Sequence, residues 1–375
     1  MGKNIFYLLL IVIILLNSSA FSLPRFAVRL GNKCIDCHFN PTGGIIRNED
    51  GWNYGKNILS AISPREQDFI MTPKIGDNIY FGLDYRTQYL YSSEKKRTDF
   101  QQMTGSIYTN VGLAKNINLL GRYDFIYNIW EAYGVAHILP NKSYIKVGSF
   151  QPNYGIRIDD HTAYTRGGDF ALLSAEGRQG LIYSPYYTEA GIEAGANISD
   201  WGLFTASAGA SIVQNTPVGG TLRKDPTYTA RLEIDPQIGR VGLMFGASYA
   251  SIKIPRKADF YGGFLGVGYK RISLLGEFDL SENVTSQGLK SNYAMIEAAY
   301  VVTLGLEAVV RYDRFDPNAS NDYDELQHIV VGLEWYPYSF IEIRPQYRFM
   351  LDHPNTDKSV LVNHGSAVIQ FHFWY

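Results

Sequence analysis

From Asn78 to the C-terminus, apolar and polar residues alternate one by one, and a period of two dictates strands. Between Ile79 and Tyr91, one face carries Phe81, Leu83, Tyr85, Tyr89 and Tyr91, and the other carries Gly82, Asp84, Arg86 and Gln88. Such a strand separates two unlike environments. In a sandwich its apolar face would be core; in a barrel crossing a membrane that face meets lipid and the polar face lines a lumen. The alternation predicts strands over 78–91, 100–114, 117–127, 129–138, 143–150, 178–197, 201–213, 226–235, 238–252, 258–270, 271–281, 290–302, 304–315, 325–336, 340–351 and 362–375. Gly180–Asn197 contains Pro185 and could be divided, but splitting it would put the long stretch 214–225 on the side where the connections are short.

Composition separates the two barrel environments from a soluble core. The chain holds 28 Tyr, 20 Phe and 36 Gly, which suits tilted strands with aromatic girdles. After the N-terminus no apolar run approaches the ~18 residues of a membrane helix. The chain ends Phe371-His372-Phe373-Trp374-Tyr375, an alternating last strand closing on an aromatic, as bacterial outer-membrane barrels commonly do. The expected fold is therefore all-β: a transmembrane antiparallel β-barrel of about 16 strands, residues 78–375, preceded by a small N-terminal segment. With a net charge of −2 and no long basic run, nucleic acid is not an expected partner. Outer-membrane lipid is.

Residues 1–22 combine Lys3, an apolar core from Ile5 to Leu16 and small residues at Ala20 and Ser22, the pattern of a secretory signal cleaved after Ala20 or Ser22. Cys34-Ile35-Asp36-Cys37-His38 follows, and it uses the only two cysteines of the chain. C-x-x-C-H reads as a c-type haem attachment site. Cys34 and Cys37 would form thioethers with one covalently attached haem, and His38 would be the proximal iron ligand. A Cys-Cys disulfide would leave His38 without a role, and a structural zinc would need four protein ligands where three residues cluster.

The haem segment is read as residues 23–77. In it Asn40-Pro41-Thr42-Gly43-Gly44 predicts a turn against the flat cofactor, and Asp50-Gly51 a second turn. One short helix is expected over 52–62, and a second behind the capping box Ser63-Pro64-Arg65-Glu66, two at most. So small a segment must borrow cover from the barrel. Candidate sixth ligands are His137, on the polar face of the fourth strand with Glu131, then Met71 and His161; an open iron position is the alternative. For Arg47, Arg86 and Arg122, lumen-lining charge is expected ahead of propionate pairing. The gap Gln151–Gly177 falls where the third loop of sixteen-stranded porins folds inward, and it carries Arg157, Asp159, Asp160, His161 and Arg166.

A secretion signal, one C-x-x-C-H and a single-chain barrel, in that order, resemble the fused monohaem cytochrome-porins of the bacterial outer membrane. Residue by residue the resemblance rests on Cys34, Cys37 and His38. It implies an outer-membrane electron-transfer protein passing electrons between an extracellular donor or acceptor and a periplasmic cytochrome or other redox carrier. Ferrous iron oxidation is its enzymatic version. The alternative is a porin or channel whose haem is a structural or sensory plug. The haem segment is expected on the periplasmic side or in the lumen.

Overall fold

The computed structural model describes residues 24–64, 72–92, 96–157, 163, 187–211, 226–253, 257–283, 288–321, 324–351 and 365–375. The signal, the capping box from Arg65, Met71 and His161 lie outside the described residues.

Among the described residues three helices precede the sheet: α1 (Pro24–Leu30), α2 (Cys34–Cys37) and α3 (Glu49–Asn57). The sheet that follows has eighteen strands, of which Lys74–Ile75 and Gln237–Ile238 are two-residue ladders, leaving sixteen. In the first half these are β1 (Ile79–Ser92), β2 (Arg97–Ala114), β3 (Ile117–Asp124), β4 (Ile129–Ala136), β5 (Tyr144–Phe150), β6 (Glu189–Asn197), β7 (Gly202–Ser211) and β8 (Thr227–Ile234). The second half comprises β9 (Val241–Lys253), β10 (Lys257–Tyr269), β11 (Ile272–Glu282), β12 (Lys290–Thr303), β13 (Leu306–Asp316), β14 (Leu326–Tyr338), β15 (Ile341–Leu351) and β16 (Ser366–Trp374). Each is antiparallel to the next, and β16 closes the ring on β1 with Ala367 opposite Tyr91 and Trp374 opposite Asp84. Closure leaves no free edge.

The burial pattern runs opposite to that of a soluble core. Along β1, Asp84, Arg86 and Gln88 are buried while Phe81 and Leu83 are exposed. On other strands Trp130, Ile192, Leu265 and Ile296 are each more than half exposed. A ring of apolar side chains turned outward around a polar interior is stable in hydrocarbon, where the closed ladder satisfies every backbone group. Among the described residues no helix is long and apolar enough to cross a membrane.

The connections at one end are short, such as Lys115–Asn116, Lys270–Arg271 and Leu304–Gly305, and the N-terminal segment fills the barrel at that end. Its helix α1 lies on an inner wall built of glycine. A Cβ on Gly242 would stand 1.8 Å from the Val28 carbonyl oxygen, and one on Gly268 would stand 2.4 Å from the Arg29 nitrogen. Val28 packs with Met244, Phe264, Leu275 and Met295. At the other side of the lumen Phe39, Ile45 and Ile46 pack on Tyr108, Leu120, Tyr133, Tyr144 and Leu203, while Trp52 of α3 meets Tyr336, Phe340 and Trp374. The segment thus touches walls all round the barrel. Gly242→Ala is expected to destabilise the folded chain by about 1–3 kcal/mol through overpacking. Gly263→Ala, whose Cβ would meet nothing closer than 3.9 Å, should be neutral. Thermal unfolding of both variants in detergent measures the contrast.

Three sequence expectations require correction. The described part of the segment carries three helices where two at most were expected, because α1 is stabilised by the barrel wall and not by its own pattern. Asp50-Gly51 is no turn: both residues lie in the first turn of α3, where the Asn48 side chain caps the helix by accepting from the Gly51 nitrogen at 3.0 Å. That helix therefore spans 49–57 and not 52–62. Gly51 is needed for close approach, since a Cβ there would lie 2.2 Å from the Cys37 carbonyl oxygen.

Candidate functional site

Cys34 and Cys37 begin and end the single turn α2. Asp36 holds that turn by accepting from the Lys33 nitrogen at 2.9 Å. His38 leaves it in extended conformation (φ −124°, ψ 147°) and pairs with Arg47 in an isolated bridge. Between these two the Asn40–Gly44 turn is closed by Asn40 Nδ2, which donates to the Gly43 carbonyl at 2.7 Å, and Thr42 lies 3.4 Å from Lys146 Nζ on β5. Cys34 and Cys37 are not joined in a disulfide, and Cys37 and His38 are buried.

All three motif residues line one cavity of about 250 Å³ inside the barrel. That approaches the ~300–1,000 Å³ common for small-molecule sites. Its apolar wall includes Phe26, Ile46, Leu59, Leu203, Met244 and Trp374, and its charged groups include Arg47, Arg86, Arg122, Arg157 and Arg231. Two thiols two residues apart, an adjoining imidazole, an apolar wall and several guanidinium groups are a donor set that fits a c-type haem with its two carboxylates. Burial pushes the Cys34 thiol up to about 12, with Glu233 adding to the shift and Arg231 and Arg157 opposing it. Without a covalent partner Cys34 is therefore a protonated, slow nucleophile.

Of the candidate sixth ligands, His137 is not among the cavity residues. It sits just past the end of β4, where its Nδ1 is 2.9 Å from the Lys142 carbonyl and its ring tilts against Tyr144. The strand β4 ends at Ala136, and His137 beyond it is held at that end by the Lys142 carbonyl, outside the cavity that the motif lines. Among the described residues the histidine that lines the cavity besides His38 is His372 on β16. Its Nε2 is 3.0 Å from Asp84 and its Nδ1 2.9 Å from Glu342, beside Arg86. The sequence signal for it was present, since Gln370 and His372 share the polar phase of the last strand, but nothing local shows that β16 closes beside Asp84 and Arg86. With both ring nitrogens hydrogen-bonded, His372 is a wall residue and not a ready iron ligand. Arg47, Arg86 and Arg122 all face the cavity, as lumen charge should.

The start of the long gap also enters the barrel. Leaving β5, Asn153 donates to Thr205 (3.2 Å), Tyr154 to Asp279 (2.9 Å), the Gly155 nitrogen to Ser248 (2.9 Å) and the Ile156 nitrogen to Glu277 (2.9 Å). The chain thereby crosses from β5 to β7, β9 and β11, and Ile156 packs in one cluster with Val28 of α1. The inward-folding loop is observed for residues 151–157.

In the short turn after β8, the Asp235 carboxyl lines the same cavity and is pushed up to about 8, first by burial and then by Glu233, with Lys33 opposing. Its ordinary value is 3.8. Across that window the folded chain holds a proton that the unfolded chain has lost, so stability falls as pH rises from about 4 to about 8, by at most ~1.4 kcal/mol per pH unit. Below and above the window this contribution is flat. Denaturant unfolding at pH 5 and pH 9 should show the loss, and Asp235→Asn should reduce it.

No protein-family model matches the chain, and no curated protein matches it. Solved structures do. OprB of Pseudomonas putida aligns with TM-score 0.60 at 9% identity, covering 80% of this chain and 94% of that one. OmpF of Salmonella typhi, in complex with daunomycin, aligns with TM-score 0.55 at 12% identity over 80% and 98%. An anion-selective porin from Comamonas acidovorans aligns with TM-score 0.51 at 10% identity over 79% and 99%. At these identities the likeness shows the fold: a porin-like outer-membrane β-barrel.

Proposed function

We propose that this porin-like barrel is a channel protein of the bacterial outer membrane whose N-terminal segment carries one covalent c-type haem and sits in the lumen as a plug. The channel half is supported by the barrel's likeness to porins, and the haem half by one observation: Cys34, Cys37 and His38 lie together on a cavity wall that the strands complete. Cys34 and Cys37 would anchor the haem through thioethers and His38 would ligate its iron. When bound, the haem supplies a one-electron couple. The chain's own residues would bind and shelter it: Trp374, Leu203 and Met244 would exclude water from the cavity, and the Asn40–Gly44 turn holds the motif near β5 through Thr42 and Lys146. The short-turn end, where the segment enters, is periplasmic.

A second reading is an electron conduit between an extracellular donor or acceptor, ferrous iron included, and a periplasmic redox carrier. The observation favouring it is that residues 151–157 run from the long-loop side into the lumen and bring Arg157 to the cavity of Cys34. Since the hydrocarbon layer is ~30 Å thick, one haem bridges it only with a partner entering the barrel. Ion conductance in planar bilayers, measured on protein whose haem is shown to be covalent by mass, tests both. Conductance with haem in place supports the channel. A closed pore, with haem reduced by ferrous iron or another impermeant donor outside and reoxidised from within proteoliposomes, supports the conduit; a chain exported without covalent haem overturns the haem half.

A further inference from the structure

Among the described residues five arginines line the cavity, and three of them are neutralised or bonded by the wall. Arg231 is paired with Glu233 and donates to the Gly155 carbonyl at 2.9 Å. Arg122 stands 3.1 Å from Glu131 and 3.5 Å from Asp124, and Arg86 is beside His372. Arg47 and Arg157 differ. Arg47 donates to the Tyr108 hydroxyl at 3.4 Å and lies over the Trp374 ring at 5.7 Å. Arg157 donates to the Gln151 carbonyl at 3.2 Å. Among the described residues neither is in salt-bridge contact with a carboxylate; Arg47 feels the charge of Asp84, which His372 already binds at 3.0 Å, and both guanidinium groups face a partly apolar cavity where an uncompensated cation is costly.

Their positions flank the motif. Arg47 is bridged through its backbone to His38, on the side of the iron ligand. Arg157 lies on the thioether side: its Nη1 is 3.4 Å from where a Cβ of Gly44 would stand, and Cys34 Sγ is 3.5 Å from the same point on Gly43. A guanidinium fork matches a carboxylate with two parallel hydrogen bonds. Resting on the haem reading above, the geometry points to Arg47 and Arg157 as the pair that binds the two propionate carboxylates of the cofactor. Arg47 is supplied by the N-terminal segment and Arg157 by the loop after β5, so the cofactor ties the outer loop to the plug. The other arginines are already committed to wall carboxylates or to His372.

Spectroelectrochemical titration of the haem-loaded barrel tests this. A propionate deprived of its cation favours the more positive, oxidised centre, so Arg47→Gln and Arg157→Gln should each lower the midpoint potential. A tenfold shift of the reduced-to-oxidised ratio corresponds to about 59 mV for one electron. Arg47→Lys and Arg157→Lys keep the charge and should recover part of the shift, whereas Arg314→Gln, at the end of β13, should cause none. If the glutamine variants load haem poorly, loading restored by lysine supports carboxylate binding, and loading lost with lysine as well overturns it. Glutamine variants that retain covalent haem at the wild-type potential overturn the arginine assignment and leave the haem reading standing. Wild-type protein without covalent haem removes both.

Discussion

A chain bearing Cys34→Ser and Cys37→Ser together is expected to lose the covalent haem completely, while the barrel still folds and inserts. The barrel's own closure supports the second half of that expectation. Sixteen antiparallel strands pair in an unbroken ring from β1 to β16, and none of their ladder hydrogen bonds involves α2. The first half follows from stoichiometry, because the chain has no other thiol. Intact mass and the haem absorption band of purified protein read the loss, and heat-modifiable migration on a gel reads the folded barrel. The single variants should differ from the double only in degree, each keeping one thioether. His38→Ala should instead retain both thioethers and change the absorption spectrum, since it removes a ligand and not an anchor. A double variant that keeps its haem band and mass would exclude attachment at this motif.

The second large effect concerns how the plug is held. Arg25 of α1 is buried and contacts three carboxylates on three successive strands: Glu297 of β12 at 3.4 Å, Glu307 of β13 at 3.8 Å, and Glu334 of β14. Arg29 adds a bond to Glu307 at 2.5 Å. Their carboxylate charges raise the Arg25 guanidinium well above its ordinary value even though burial opposes this, so the cation persists at any working pH. Arg25→Ala leaves the three carboxylates to Arg29, Arg311 and Arg344, which lie to their sides, and breaking a buried pair from one side costs about 3–5 kcal/mol. The expected outcome is release of α1 from the glycine wall, with the peptide bonds of residues 24–64 opened to protease while the barrel stays resistant. Glu334→Gln in the Arg25→Ala background should restore part of the protection by removing one uncompensated charge. Protection that is unchanged by Arg25→Ala would mean that Val28 and its apolar contacts hold the helix alone.

Period-two alternation was a sufficient guide to the strands. The expected 78–91 is 79–92 in the structure, 290–302 is 290–303, and 340–351 is 341–351. Of Gly180–Asn197 the described part forms β6, Glu189–Asn197, and the question of a division at Pro185 lies outside the described residues. The side of each residue was legible as well: Asp84, Arg86 and Gln88 are inside and Phe81 and Leu83 outside. Neither α1 nor the helical setting of Asp50-Gly51 was. Pro24–Leu30 is too short to nucleate a helix alone, and it forms where Gly242 and Gly268 remove the side chains that would obstruct it. Gly51 carries a turn signal locally and serves as a contact point with Cys37 instead.

The chemistry followed the same division. A motif of five consecutive residues, Cys34 to His38, is local and needs no fold to be read. The residues around it come from the ends of the chain and its middle: Arg47, Asp84, Arg157, Arg231 and His372 share a cavity although nothing in their spacing relates them. The sequence by itself determined the strands, their inner and outer faces and the place of the cysteines, because each is set by periodicity or adjacency over a few residues. The tertiary structure alone decided that His372 and not His137 lines the cavity, that Arg157 reaches it, and that α1 docks inside. Those facts depend on which inner positions face one another after the ring closes, and closure joins residues almost three hundred positions apart, as in the pairing of His372 with Arg86.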